Sequence, residues 1–575
     1  MALEGIPEAE QSAPGTSVMV GQEPSGDSRR NAVAQKSLVF QELLGALSTL
    51  HRRIKTKYPS RFLATSLPAA LGAYRKLPIT VETTTAFLKC LDQLSSPHRP
   101  PLPPRASSAE VPGASKPLSA VSLPDPEAAS EARTGSNVAS ENEKAIIKRL
   151  LQAVLVEIID EYLSSFQYDE DPSMRWTCRL REKLEPRRSV PGKETERVRW
   201  QKDSALRARD NLIDEFTKLS SRLGLDLAKG LRLATGQDEA PAEAPNDDKE
   251  DFEYPTSPSQ VPFAISGLVQ LAAASAFASD QALEAKDVSV LLLFKSSQTL
   301  SEHAIIPLPS LQDALCSILY QQLNSSSDSR LLGSSTDVDF KTLIAMLTQS
   351  FTVQQDAQTR DDTHHITTKL LHQRQSASDR IEIIKQTIRC TVEPVTGQAI
   401  ALCPPYVEGA LKAVGVDWLK DEILFHLGHT TRDANDTAPG LDPSALEQDS
   451  ELGSLIAPEV PVLRAGSTVD PDTTTSILLS LPYYISILNL VCILFTRTSI
   501  TKESDTFKST ERVLRSLEEW RRYLVEQMLV DEAVMDSASD IFALEDACGR
   551  ADAVLVKARK REKTGETDSG VDKRI

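Results

Sequence analysis

Cysteine, aromatic residues and basic charge are all in short supply in this 575-residue chain. The seven cysteines, Cys90, Cys178, Cys316, Cys390, Cys403, Cys492 and Cys548, are scattered, odd in number and without a C-x-x-C pair. That excludes a disulfide framework and a zinc ribbon. It fits a reducing compartment, the cytoplasm or also the nucleus, as the place of function. Basic residues are outnumbered by acidic ones, giving a net charge of −17. Direct nucleic-acid binding is therefore not expected, because a phosphate backbone needs a basic surface. Protein partners are. No phosphate-cradling glycine loop, H-E-x-x-H or G-x-S-x-G occurs, so no catalytic residue or cofactor is expected. The opening "MALEGIPEAEQSAPGTS" lacks the apolar core of a secretory signal and the arginines of a mitochondrial presequence. Alternating strand patterns are scarce, and no strict repeat signature is present.

Helical periodicity is what remains. Residues 1–35 read as disordered. In 36–94, "SLVFQELLGALSTLHRRI" sets Leu43, Leu47, Leu50 and Ile54 on one helical face. A Pro/Ser/Ala-rich linker at 95–142 follows. Its "RPPLPPR" matches ligands of proline-binding modules but reads as solvated linker. The block 143–230 starts with a wide stripe, Ile147, Leu150, Leu151, Val154, Leu155, Ile158, Ile159 and Tyr162. It then carries a local basic patch, Arg187, Arg188, Lys193 and Arg197, read as a solvated connection. An acidic linker at 231–261 contains Ser257-Pro258, a phosphorylation-type dipeptide. Short helices joined by polar turns fill 262–427. A linker at 428–472, C-terminal helices at 473–557 and a polar tail at 558–575 complete the chain. The fold class is thus all-α, built as an irregular stack of helices with long inserts.

Two segments pose sharper questions. Ile477–Phe495 carries no charge over a length that spans a bilayer. Pro482, near its expected start, and Asn489 favour a helix buried in a stack, with no membrane contact. Its cover is expected from the following helices, where Leu514, Leu517, Trp520 and Leu524 form a stripe. His364, His365 and His372, with Cys390 beyond, are the nearest approach to a metal site. Adjacent histidines on a helix diverge by about 100°, so the expectation there is no metal.

In "LKAVGVDWLKDEIL", Leu411, Val414, Trp418, Leu419 and Ile423 share one broad face, and Gly415 leaves room for a close neighbour. The tryptophan reads as core. Together with "DRIEIIKQTIRC", in which Arg380, Ile381, Ile383, Ile384 and Ile388 fit the pattern, this stretch resembles the signature region of the fungal Yap-binding protein family, related to glomulin. "LLQAVLVEIIDEYL" and the segment around Trp176 resemble an earlier part of the same family. The likeness runs through Lys144–Phe425 and more weakly into the last block. It departs in the longer "CTVEPVTGQAIALCPPYVEG" connection and the linker at 95–142. The resemblance implies a HEAT/armadillo-like α-α superhelix without enzymatic activity. It implies a cytoplasmic scaffold of the oxidative-stress response that binds a Yap-type bZIP transcription factor and helps a thiol peroxidase oxidise it. The alternative that it implies is a glomulin-like inhibitor bound to the RING subunit of a cullin ubiquitin ligase. A further alternative, read from the residues alone, is a protein anchored by a span at 477–495.

Overall fold

The computed structural model describes residues 26–54, 56, 58–96, 136–166, 173–188, 192–236, 254–279, 293–294, 309–325, 337–353, 356–374, 376–392, 400–401, 407–429, 450–463, 470–497 and 505–564. Among these residues there are nineteen α-helices and one two-residue strand pair, so the fold is all-α. Chain contacts define two compact units, Met1–Leu331 and Leu332–Ile575.

The first unit holds α1 (Gly26–His51), α2 (Pro59–Arg75), α3 (Val81–Ser95), α4 (Ser136–Ser164), α5 (Trp176–Leu184), α6 (Glu196–Lys202), α7 (Ser204–Arg222), α8 (Leu227–Ala234), α9 (Ile265–Ser279) and α10 (Pro309–Ser325). Each helix packs mainly on near neighbours in the chain: α1 on α3, α2 on α4, α9 on α10. Phe40, Tyr74 and Phe87 interlock edge-to-face and stacked, with ring centroids 5.6–6.2 Å apart. Thr80 opens α3 with a capping box, its hydroxyl accepting from the Thr83 amide. The apolar stripe of α4 buries Leu151, Leu155, Ile158, Ile159 and Tyr162 as its periodicity requires, with Ile146 inside in place of the half-buried Ile147.

Helix α1 corrects the sequence reading. Phe40, Leu44 and Ser48 are the buried face, and Leu50 is 60% exposed. Both stripes have helical spacing, but only the one carrying Phe40 meets Tyr74 and Phe87. The helix also starts at Gly26, inside the stretch read as disordered, and α4 starts at Ser136, inside the linker assigned to 95–142. Polar residues ahead of an apolar stripe prolong a helix once it is nucleated, without signalling burial.

The second unit holds α11 (Asp337–Val353), α12 (Ala357–His372), α13 (Ala377–Ile388), β1 (Thr391–Val392) paired antiparallel with β2 (Ile400–Ala401), α14 (Glu408–His429), α15 (Ser450–Ile456), α16 (Pro471–Arg497), α17 (Asp505–Gln527), α18 (Glu532–Asp536) and α19 (Ala538–Thr564). Helix α14 packs on α13 and α16, α16 packs on α19, and α17 on α19. Cys390 ends α13 in a left-handed conformation, φ 56°. The stretch read as a linker at 428–472 holds α15, and Tyr483 of α16 donates a hydrogen bond to the Leu455 carbonyl there. The Pro461 carbonyl accepts from the Trp520 indole at 2.6 Å. Helix α19 runs on to Thr564, into the expected tail.

Pro471–Thr496 is long and apolar enough to cross a membrane, and 56% of its most apolar window is buried inside the structure. Helix α16 starts at Pro471, so Pro482 lies within the helix and not near its start. The polar turn Asp472–Thr475 supplies the beginning that apolar content alone missed. Asn489 accepts from Arg550 of α19 at 2.9 Å. Leu514, Leu517, Trp520 and Leu524 are all buried along α17.

Candidate partner-binding surface

The signature stretch builds the centre of the second unit. Leu411, Trp418, Leu419 and Ile423 have no exposed surface. Val414 is only half-buried, and Val416 takes its place inside, because α14 is covered on two sides and not on one. The Trp418 indole N–H donates to Thr368 at 2.8 Å, and its ring stacks on His364 with centroids 6.4 Å apart. A Cβ on Gly415 would come within 2.5 Å of an Ile388 side-chain carbon. Gly409, which sequence reasoning missed, is tighter still. Its Cβ would lie 2.0 Å from the Leu479 carbonyl oxygen, so α14 and α16 touch backbone to backbone there.

Glu422 is the polar counterpart of this core. Its oxygens accept from Arg380 Nε and Nη2 at 2.7 and 2.8 Å, and from His372 Nδ1 at 3.2 Å. Arg380 also donates to the Arg374 carbonyl. Burial pushes the Glu422 carboxyl up, but the hydrogen bonds and charge of His372 and Arg380 outweigh it and hold it below its ordinary value. Burial pushes His364 below its ordinary value, against the nearby Asp417, Asp361 and Asp421. Of the histidines read as possible ligands, His364 is thus used in stacking and His372 in bonding Glu422. Among the described residues no three His, Cys, Asp or Glu side chains converge as a metal site would require. Their six cysteines are free thiols, five of them buried, with Cys90 and Cys548 pushed up to about 12 by burial. Cys403 lies outside the described residues.

In the first unit, Trp176 is buried and opens α5. Arg175 before it is left-handed and provides no side-chain cap. Asp313 of α10, buried, caps the helix instead, accepting from the Trp176 and Thr177 amides at 2.8 and 2.9 Å.

Beyond Trp176 the chain forms a groove of about 740 Å³. Glu182 of α5 caps α6 by accepting from the Glu196 and Arg197 amides, each at 2.9 Å. Asp203 caps α7 by accepting from the Ala205 amide at 2.8 Å. These caps set Arg197 and Arg207 beside Lys183, and all three are exposed along the groove. Arg179 lies at the bottom, its guanidinium 4.2 Å from the Trp200 ring centroid and 4.7 Å from that of Phe277. Both Asp210 oxygens are taken by Arg179, at 3.0 and 2.7 Å. Of the basic patch read from the sequence, only Arg197 lines the groove; Arg187 and Lys193 are exposed elsewhere on the connection. Arg179, Lys183 and Arg207 went unnoticed because they are spread over 28 positions among ordinary helix-face charges.

The sequence model of the family described as YAP/Alf4/glomulin matches residues 10–519. The chain belongs to the YAP/Alf4/glomulin family. The match reaches well beyond the signature stretches, taking in α1–α3 at one end and most of α17 at the other. No curated protein and no solved structure matches the chain. In this YAP/Alf4/glomulin member the signature residues are mostly interior packing, so the surface available to a partner lies elsewhere, and the groove is a concavity lined by four cations. The family is one of protein-binding adaptors.

Proposed function

We propose that this family member is a non-enzymatic adaptor of the oxidative-stress response that binds a Yap-type bZIP transcription factor in the cytoplasm and brings a thiol peroxidase to it. The family match over residues 10–519 carries this reading. Three of the described thiols suit it: Cys90, Cys492 and Cys548 are pushed up by burial, so they are poor nucleophiles near neutral pH. The redox chemistry then belongs to the partners. Affinity purification with and without peroxide tests it. Recovery of a bZIP factor with a peroxidase is the expected result. Recovery of cullin and RING subunits would favour the second reading, a glomulin-like ligase inhibitor, which rests on the same family description. Carbonate extraction tests the compartment: the chain is expected in the high-speed supernatant, because α16 already has protein cover.

A further inference from the structure

We propose that the groove between α5, α6 and α7 binds an acidic segment of a partner protein, with an apolar side chain of that segment covering Phe277. The inference rests on the adaptor reading and names a surface and a partner chemistry for it.

Four cations and one carboxylate line the groove, in a chain whose net charge is −17. The carboxylate, Asp210, is consumed by Arg179 through both of its oxygens. Neither Arg197 nor Arg207 forms an ion pair among the described residues. Both stand near the starts of helices whose first turns are fixed by carboxylate caps, Glu182 for α6 and Asp203 for α7. Holding like charges side by side on fixed elements costs free energy, which an anionic occupant offsets.

The floor adds a second requirement. Phe277 is half-buried, an aromatic face left partly open beside the buried Trp200. An occupant with both carboxylate or carbonyl oxygens and an apolar side chain answers both features. A polypeptide rich in Asp and Glu has them. A nucleic acid meets the charge requirement, and its bases can stack on Phe277, but its phosphates need a continuous basic track. It would also have to approach a strongly acidic protein through a patch of few cations, whereas phosphate tracks need many.

The test uses the full chain and a fluorescein-labelled peptide of about twelve residues, Asp/Glu-rich with one Phe, followed by anisotropy. Saturable binding is expected, weakening as salt shortens the Debye length from about 10 Å at 0.1 M to about 3 Å at 1 M. R197E/R207E should weaken it about tenfold or more. K89E/K218E, which changes net charge equally at exposed sites outside the groove, should not. R197Q/R207Q, a gentler pair, should fall between. No binding, equal loss in both charge-reversal variants, or displacement by a single-stranded oligonucleotide rather than by unlabelled peptide would overturn the proposal. Co-purification separates the two levels. A bZIP factor or RING subunit retained undiminished by R197E/R207E would overturn the groove and leave the adaptor. Recovery of no partner by the wild-type chain would remove the adaptor reading, while the peptide titration still decides the groove.

Discussion

Glu422→Gln removes one charge and almost no volume, yet it should be among the costliest single changes in the second unit. Arg380 and Glu422 are 3% and 0% exposed. The wild-type carboxylate accepts two charge-assisted bonds from Arg380, at 2.7 and 2.8 Å, and one from His372. The amide replaces one of the two accepting oxygens with an NH2 donor, so one guanidinium N–H faces another donor, and the buried cation loses its counter-charge. Breaking a buried pair in this way costs about 3–5 kcal/mol. Replacing both partners by apolar residues, R380M/E422L, should cost much less, about 0–2 kcal/mol, because no charge is stranded. Acid should close the gap. The folded Glu422 sits below its ordinary 4.5, so its stabilisation is present above that value and is lost as pH falls through the folded pKa. Urea unfolding followed by tryptophan fluorescence and far-UV circular dichroism, at neutral pH and below pH about 4, measures both effects. A cost of E422Q under about 1 kcal/mol at neutral pH, or one that does not shrink in acid, would refute the buried-pair argument.

Trp418→Ala should cost about 3–5 kcal/mol in the same denaturation assay, since it empties a fully buried site and strands Thr368. Gly409→Ala should destabilise by about 1–3 kcal/mol or more, as the new methyl meets backbone, whereas Gly45→Ala, in open space on α1, should stabilise by about 0.5–1 kcal/mol; paired melting curves check this. Asp160, pushed up to about 6 by burial, binds its proton more tightly when folded, so its contribution is lost as pH rises through about 6. Asp160→Asn should therefore stabilise the chain by about 1–3 kcal/mol at neutral pH and give no benefit below about pH 4, read from melting temperature against pH. Cys90 and Cys548 should react with a thiol reagent only on unfolding, and rapid modification of the native chain at either would contradict their burial.

The all-α class was legible because periodicity is local. Leu514, Leu517, Trp520 and Leu524 declare one buried face, and Trp418 declares itself as core within a single stretch. Wherever two stripes compete, local pattern is silent: on α1 the choice of Phe40 and Leu44 over Leu47 and Leu50 depends on Tyr74 and Phe87 being across the interface. Polar partnerships are harder still to read. Arg380 finds Glu422 across 42 positions, and Asp313 caps a helix that starts 137 positions earlier. Asp and Glu occur throughout the chain, and nothing in their spacing marks the few that are desolvated. Close helix approach at Gly409 is likewise a property of two backbones meeting, not of either sequence. The groove is the clearest case. Within a net charge of −17 the sequence shows one basic patch, of which Arg197 enters the groove, and only the packing of α5, α6 and α7 draws Arg179, Lys183 and Arg207 to it, because charge density belongs to surfaces and not to segments.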